Sequence, residues 1–277
     1  MSTATEADWK LLTDLVAEHF GLLFHGSRQE ILQSRLRGRL EALRLNDIRE
    51  YYHYLKLHPG REEELEQLAQ RLTNNETYFF RDMPQLDAIV NHIVPRIAAE
   101  RPGRPLKLLC AACSSGEEAY SLAVKLTDAG LELSGIQWSI DACDLNPLRL
   151  DQARRASYEG LSLRACDPAM LLHCFVEDEG RYALKDRYRK NVRFFSANLA
   201  AAHAGLGWGM YDVIICRNLL IYFSTAAFDR LIARFASLLP TGGWLVLGHS
   251  ESLFDRSHAF EPVAFPHTVC YRRLGGV

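Results

Sequence analysis

Between Leu106 and Tyr120 the chain reads Leu-Lys-Leu-Leu-Cys-Ala-Ala-Cys-Ser-Ser-Gly-Glu-Glu-Ala-Tyr. The apolar run at Leu106, Leu108 and Leu109 passes through small residues to Gly116, and a helical pattern then opens through Tyr120, Leu122, Ala123 and Leu126. That spacing predicts a strand, a tight turn and a helix, the first unit of a nucleotide-cofactor fold. A helix N-terminus at such a turn ordinarily attracts anions. Here Glu117 and Glu118 occupy it, and two carboxylates would repel a phosphate. They suit a cofactor that carries an amino group and a sulfonium, which points to S-adenosylmethionine. Acidic residues also favour helix N-termini for structural reasons alone.

Further polar groups fall where strands should end. Asp144 closes the run Ile140-Asp-Ala-Cys143, the position from which an acidic side chain meets a cofactor ribose, and Asn146 follows as a helper or helix cap. Cys216-Arg-Asn-Leu-Leu-Ile-Tyr-Phe223 places Arg217, Asn218 and Tyr222 at the tip of a buried strand, where polar groups are costly without a partner. The absence of a Pro pair there argues against methylation of a nucleic-acid base. Upstream, Thr73-Asn-Asn-Glu-Thr-Tyr-Phe-Phe-Arg81 gathers hydroxyl, amide, aromatic and guanidinium groups, and Arg81 could hold a carboxylate in a bidentate fork. Cys110 and Cys113 have the spacing of a redox or zinc pair, but no second pair completes a zinc site, so they read as structural thiols and no metal is expected.

The elements that must position these groups form two blocks. Residues 8–72 carry helical stripes at Trp9, Leu12, Leu15 and Val16, at Ile31, Leu32, Leu36, Leu40 and Leu43, and at Tyr51, Leu55, Leu65, Leu68 and Leu72. A further helix spans about 82–100 and ends in Arg101-Pro-Gly-Arg-Pro105. From 106 on, strands at 106–112, 138–143, 192–195, 211–216, 244–247 and 268–271 alternate with helices at about 117–129, 147–156, 225–239 and 168–174, which predicts an α/β doubly wound, Rossmann-like sheet. The polar interval 158–191 reads as a small insertion, with Arg181–Arg189 alternating like a short exposed hairpin.

Bulk properties narrow the class. The 277 residues are 48% hydrophobic and carry a net charge of -2, so no basic field advertises nucleic acid. The N-terminus lacks the character of a signal peptide, no apolar run approaches a membrane span, and seven cysteines argue for reduced thiols; the chain reads as cytoplasmic.

Six of these segments, in order, resemble the chemotaxis receptor methyltransferases (CheR family): Thr73–Arg81, Ser115-Gly-Glu-Glu-Ala-Tyr-Ser121, Cys143-Asp-Leu-Asn146, Asn198-Leu199, Cys216–Phe223 and Gly248-His-Ser-Glu-Ser252. The resemblance implies a class I methyltransferase domain over 106–277 with an antiparallel β insertion near 160–191, a helical receptor-docking domain over 1–81, and a helix and linker over 82–105. It implies transfer of a methyl group from S-adenosylmethionine to glutamate side chains of receptor cytoplasmic domains, leaving S-adenosylhomocysteine and a glutamate methyl ester. Cofactor contacts are then expected from Asn75, Thr77, Arg81, Glu117, Asp144, Asn198, Leu199, Arg217 and Asn218, with Arg81 and Tyr222 flanking the methyl and the incoming carboxylate. Ser115 and Ala119 stand where the family usually has Thr and Pro. Phe175–Leu184 is shorter and poorer in glycine than in members that dock on a pentapeptide at the receptor C-terminus, which weighs against that tether.

The expected partner is the acidic coiled coil of a chemoreceptor, with the enzyme recruited to receptor arrays and not inserted in the membrane. On the second helix, Arg28, Arg35 and Arg39 line one flank of the apolar stripe and Arg37 and Arg44 the other, a pattern suited to steering such a partner. A charge run is also the ordinary dress of a solvated face. Two other readings share the sequence: a methyltransferase for another carboxylate or a small molecule, and a docking module that senses cofactor without turning it over.

Overall fold

The computed structural model describes residues 5–24, 26–72, 76–201, 210–254 and 259–275, with the side chains of Ser27 and Arg28 outside that description. Four helices come first: α1 (Glu6–Phe20), α2 (Ser27–Leu43), α3 (Ile48–Leu57) and α4 (Arg61–Leu72). The start of α1 is fixed by a reciprocal cap, in which Thr5 accepts from the Asp8 N–H while Asp8 accepts from the Thr5 N–H. Leu12, Val16, Leu32, Leu36, Tyr51 and Leu68 are wholly buried, so the helical stripes face one another.

The helical stretch 82–100 is less regular than its pattern suggests. Helix α5 (Met83–Ala88) widens into a π segment at Ile89–Ile93 before α6 (Val94–Glu100). The Val94 N–H reaches back to the Ile89 carbonyl, and Pro95 follows with no N–H and a ring that would crowd the carbonyl four residues back.

Strands β1 (Leu106–Ala111), β2 (Trp138–Asp144), β6 (Val192–Ser196), β7 (Val213–Cys216), β8 (Trp244–Leu247), β9 (Phe260–Phe265) and β10 (Thr268–Arg273) make one sheet, in the order β6-β2-β1-β7-β8-β10-β9. The first five run parallel and β10 pairs antiparallel with β8 and β9. Central strands β7 and β8 are buried at every position, as a sheet covered on both faces requires. Helices α7 (Glu117–Asp128), α8 (Pro147–Arg155) and α10 (Thr225–Leu238) cover it. Strand β9 was not expected from its sequence; Pro262 lies within it, which only an edge strand tolerates.

The insertion is a second sheet in the order β3-β5-β4, built from β3 (Ser157–Tyr158), β4 (Phe175–Asp178) and β5 (Arg181–Leu184), with α9 (Pro168–Cys174) between β3 and β4. The hairpin therefore turns at Glu179-Gly180 and not within 181–189, where Asp186–Tyr188 form a 3-10 turn. Gly180 and Glu179 both take positive φ, the geometry of a tight hairpin turn.

One apolar core runs without a break from the four-helix bundle to the α10 face of the main sheet, joining Leu12 and Leu36 to Phe223, Phe228 and Phe235. A second, around Phe79, Ile89, Leu122 and Tyr158, ties α5 to α7 and the small sheet to the opposite face. Among the described residues no helix is long and apolar enough to cross a membrane.

Candidate active site

In this sheet the strand order reverses between β1 and β7, and a ligand crevice is expected beyond their C-terminal ends. A cavity of about 330 Å³ lies there. Its floor is the loops after β1, β2, β6 and β7, and its remaining wall is the 76–81 segment with the Phe20–Phe24 turn, Ile31 and Arg35 of the bundle. Backbone strain gathers at this rim. Ala112 (φ 62°), Ser114 (φ 49°) and Asn218 (φ 60°) line it in the left-handed region, and Phe80 (φ 59°) and Asp82 (φ 56°) flank Arg81 in the same way.

The turn between β1 and α7 is held by Asp144, whose Oδ2 accepts the Ser114 N–H at 2.7 Å and whose Oδ1 accepts the Asn146 N–H at 2.8 Å. Burial pushes the Asp144 carboxyl up from its usual range, and these N–H groups oppose that push. Asn146 caps α8 by accepting from Leu148 and Arg149. Gly116, in the left-handed region at φ 90°, serves packing: a Cβ there would stand 2.9 Å from Ala153 Cβ and 3.0 Å from the Phe194 ring.

The two glutamates that follow have opposite surroundings. Glu117, expected at the cofactor, is fully buried and absent from the cavity wall; its carboxylate accepts from the Ser115 hydroxyl at 2.8 Å and the Ser162 hydroxyl at 2.8 Å. Desolvation raises its pKa. Glu118 faces the cavity instead, because neighbouring residues of a helix point about 100° apart. Its Oε2 accepts from Arg217 Nε at 2.5 Å, while its Oε1 is buried with no hydrogen-bond partner among the described residues. A buried anionic oxygen without a donor is costly unless a ligand supplies one.

Arg217 was expected to touch cofactor and does line the cavity, but its guanidinium is committed within the protein. Besides Glu118 it donates to the Arg81 carbonyl at 3.1 Å, Gln85 Oε1 at 3.1 Å and Asp82 Oδ2 at 3.3 Å. Arg81 differs. It is half-buried on the cavity wall, donates to the Glu76 carbonyl at 3.1 Å, and sits 5.6 Å from the Tyr78 ring centre. Among the described residues no carboxylate lies within ion-pair distance of it. Glu76, whose carbonyl Arg81 holds, pairs through its own carboxylate with Arg164 at 2.7 Å, and Arg164 stacks on Tyr78 at 3.7 Å.

Thr77, Leu199, Asn218 and Tyr222 also line the cavity. Asn198 lines it while its amide donates to the His19 carbonyl at 2.8 Å, which ties the loop after β6 to α1. The bundle grips the Tyr222 loop as well: Leu22 and Phe223 form an antiparallel bridge, Leu23 N–H donates to the Tyr222 carbonyl at 2.8 Å, and Ser224 N–H donates to the Gly21 carbonyl at 2.9 Å. Asn75 lies outside the described residues.

The arginines expected to dock a partner separate. Arg39 is half-buried and bidentate on the buried Glu64, which also accepts the Tyr51 hydroxyl at 2.6 Å, so its guanidinium is committed within the bundle. Arg35 donates to the Leu72 carbonyl at 2.8 Å and lines the cavity. Arg37 is exposed, and the Arg28 side chain lies outside the description. The sequence reading missed Gln85 altogether. It is 2% exposed and bridges Arg217 to the Leu247 carbonyl at 2.7 Å, a link between distant segments that leaves no local signal.

Comparison with known proteins bears on this site. Residues 7–73 match the CheR methyltransferase all-alpha domain and residues 75–269 the CheR methyltransferase SAM binding domain. The chain is 33% identical over 268 residues to chemotaxis protein methyltransferase 2 of Vibrio cholerae, covering 96% of this chain and 93% of that one. It is 30% identical over 277 residues to chemotaxis protein methyltransferase 1 of Pseudomonas aeruginosa, covering 98% and 99%. The probable biofilm formation methyltransferase WspC of the same species is 29% identical, with 94% of this chain and 60% of that one covered. The chain belongs to the CheR methyltransferase family and is an S-adenosylmethionine-dependent methyltransferase. The acceptor set fits that cofactor: Glu118 Oε1 is a buried anionic acceptor without a donor among the described residues, as an ammonium would need, and the Asp144 carboxylate lines the cavity as an acceptor for hydroxyls.

Proposed function

We propose that this methyltransferase esterifies glutamate side chains in the cytoplasmic coiled coil of a chemoreceptor. The observation that carries the reading is Arg81, a guanidinium on the cavity wall whose described partners are a carbonyl and a ring, leaving it available to a carboxylate from outside. Bound S-adenosylmethionine supplies an electrophilic methyl group. Glu118 holds the amino end of the cofactor and Asp144 its ribose, with Thr77, Asn198, Leu199 and Asn218 completing the walls. Arg217 contributes through Glu118 and the Arg81 carbonyl, which it fixes in place.

A glutamate carboxylate is ionised at neutral pH and needs no general base. The task is alignment: Arg81 holds one carboxylate and Tyr222 limits its approach, and such positioning supplies several kcal/mol of a displacement barrier. The bundle's apolar wall at Phe20, Leu22 and Phe24 keeps water from the site. On this reading residues 1–81 dock the receptor through the exposed part of α2, where Arg37 faces an acidic partner, and docking brings the enzyme to receptor arrays.

Incubation with methyl-labelled S-adenosylmethionine and receptor cytoplasmic fragments should place label on the fragment that mild alkali releases as methanol. Alkali-stable label, or label only on a small-molecule carboxylate, would overturn the receptor-glutamate reading and leave the family intact.

A further inference from the structure

We propose that Glu251 is a positioning residue of the transfer site, holding the loop that carries Arg217, Asn218 and Tyr222 in its active form; this rests on the reading of the cavity as the methyl-transfer site. Glu251 belongs to the Gly248-His-Ser-Glu-Ser252 segment after β8, and it does not line the cavity. Its side chain is buried, and among the described residues no cation pairs with it. The carboxylate accepts main-chain N–H groups from two loops. Oε1 takes Leu220 at 2.6 Å, while Oε2 takes Asn218 at 2.9 Å and Gly248 at 2.8 Å.

A buried anion satisfied wholly by backbone donors fixes the chain that supplies them. Here that chain includes Asn218, held at φ 60°, a conformation an unsupported loop would leave. The receiving side is equally specific. A Cβ at Gly248 would stand 2.8 Å from Glu251 Oε2 and 3.1 Å from the Asn218 nitrogen, so the clamp closes only over glycine. The same β8 end also reaches the Arg81 turn: His249 Nε2 lies 3.4 Å from Asp82 Oδ1, and Gln85 donates to the Leu247 carbonyl. Glu251 thus sits where the segments bearing Arg81 and Tyr222 converge.

The test uses the full chain and two readouts: S-adenosylhomocysteine affinity by calorimetry, which needs no methyl acceptor, and turnover on receptor fragments. Glu251→Gln keeps the shape but turns an NH2 toward N–H donors. At a temperature where circular dichroism shows it folded, it should lose about tenfold or more in cofactor affinity, in turnover, or in both, the loss expected for an unmet buried donor. Leu126→Ala, a cavity in the buried core of α7, serves as the destabilised comparator and should stay within about twofold of wild type in both when folded. Gly248→Ala should reproduce the Glu251→Gln effect, and the double variant should be no worse than the poorer single one. Wild-type affinity and turnover in folded Glu251→Gln, or losses that simply add in the double variant, overturn the proposal. Should Glu251→Gln not fold, Gly248→Ala decides alone: unchanged affinity and turnover overturn it. A wild-type protein that binds cofactor but methylates no receptor fragment would defeat the substrate reading, while the affinity readout would still judge Glu251.

Discussion

Two regions bring guanidinium groups toward the cavity, the loop after β7 together with the 76–81 segment, and helix α2, and in each one arginine pairs with a carboxylate while the other hydrogen-bonds a carbonyl. Arg217 pairs with Glu118 and Arg81 holds Glu76 O; Arg39 pairs with Glu64 and Arg35 holds Leu72 O. The pairs differ in what they leave open. Both Glu64 oxygens are taken by Arg39 and Tyr51, so the bundle pair is closed and serves the fold. Glu118 gives one oxygen to Arg217, has no hydrogen bond to the other among the described residues, and lines the cavity, so the strand-tip pair can take a further donor from a ligand. Residue type is the same in both places, and the unmet valence separates structure from site.

That contrast breaks first at Arg81. Arg81→Ala should lower kcat about a hundredfold or more, the scale of losing one preorganised donor at a reacting group, and change cofactor affinity little. Single-turnover methyl transfer beside calorimetry would show it; equal losses in both would move Arg81 to the cofactor. Next comes Arg39→Ala, which strands a buried Glu64 and should cost about 3 kcal/mol in urea unfolding. Its turnover at low temperature should match wild type, and a selective rise in receptor KM would return Arg39 to docking duty.

A smaller effect sharpens the comparison within one helix turn. Glu118→Gln should weaken S-adenosylhomocysteine about tenfold through loss of a charged acceptor, whereas Glu117→Gln should leave affinity nearly unchanged. Glu117 instead has a signature in stability. Burial raises its pKa, so the folded state holds its proton more tightly than the unfolded chain, and the stability it lends is fullest below pH 4.5 and lost as pH rises through the folded value. The stability of Glu117→Gln relative to wild type should accordingly decline as pH falls from 7 toward 4.5, measured by denaturant titration. The smallest effect is at Arg37, exposed on α2. Arg37→Ala should raise the receptor KM about threefold and lose that effect in high salt, with stability within about 0.5 kcal/mol.

Much of the scaffold could be read before any coordinates because its signals are local. The apolar run into Gly116 and the helix beyond specify β1 and α7, and Asn146 marks a helix start by its capping chemistry. The losses have physical causes of two kinds. Strand β9 hides behind Pro262, and the hairpin was displaced because residues 181–189 alternate as well as the true strands do. At the site, the choice between Glu117 and Glu118 depends on which side of a helix meets the cavity. The partners of Arg39, Gln85 and Glu251 come from segments far along the chain, and no local pattern records them.

The bridge between Leu22 and Phe223 carries a consequence for anyone who divides this molecule. The helices supply a side of the chamber and two of the main-chain bonds that seat the tyrosine loop. A fragment beginning after α4 would present an open basin, with solvent standing where Leu22 and Phe24 now stand. Its cofactor affinity would report the missing wall more than the loops that remain. The reverse also holds: a push on the far side of α1 or α2 is one short turn of backbone away from the chemistry.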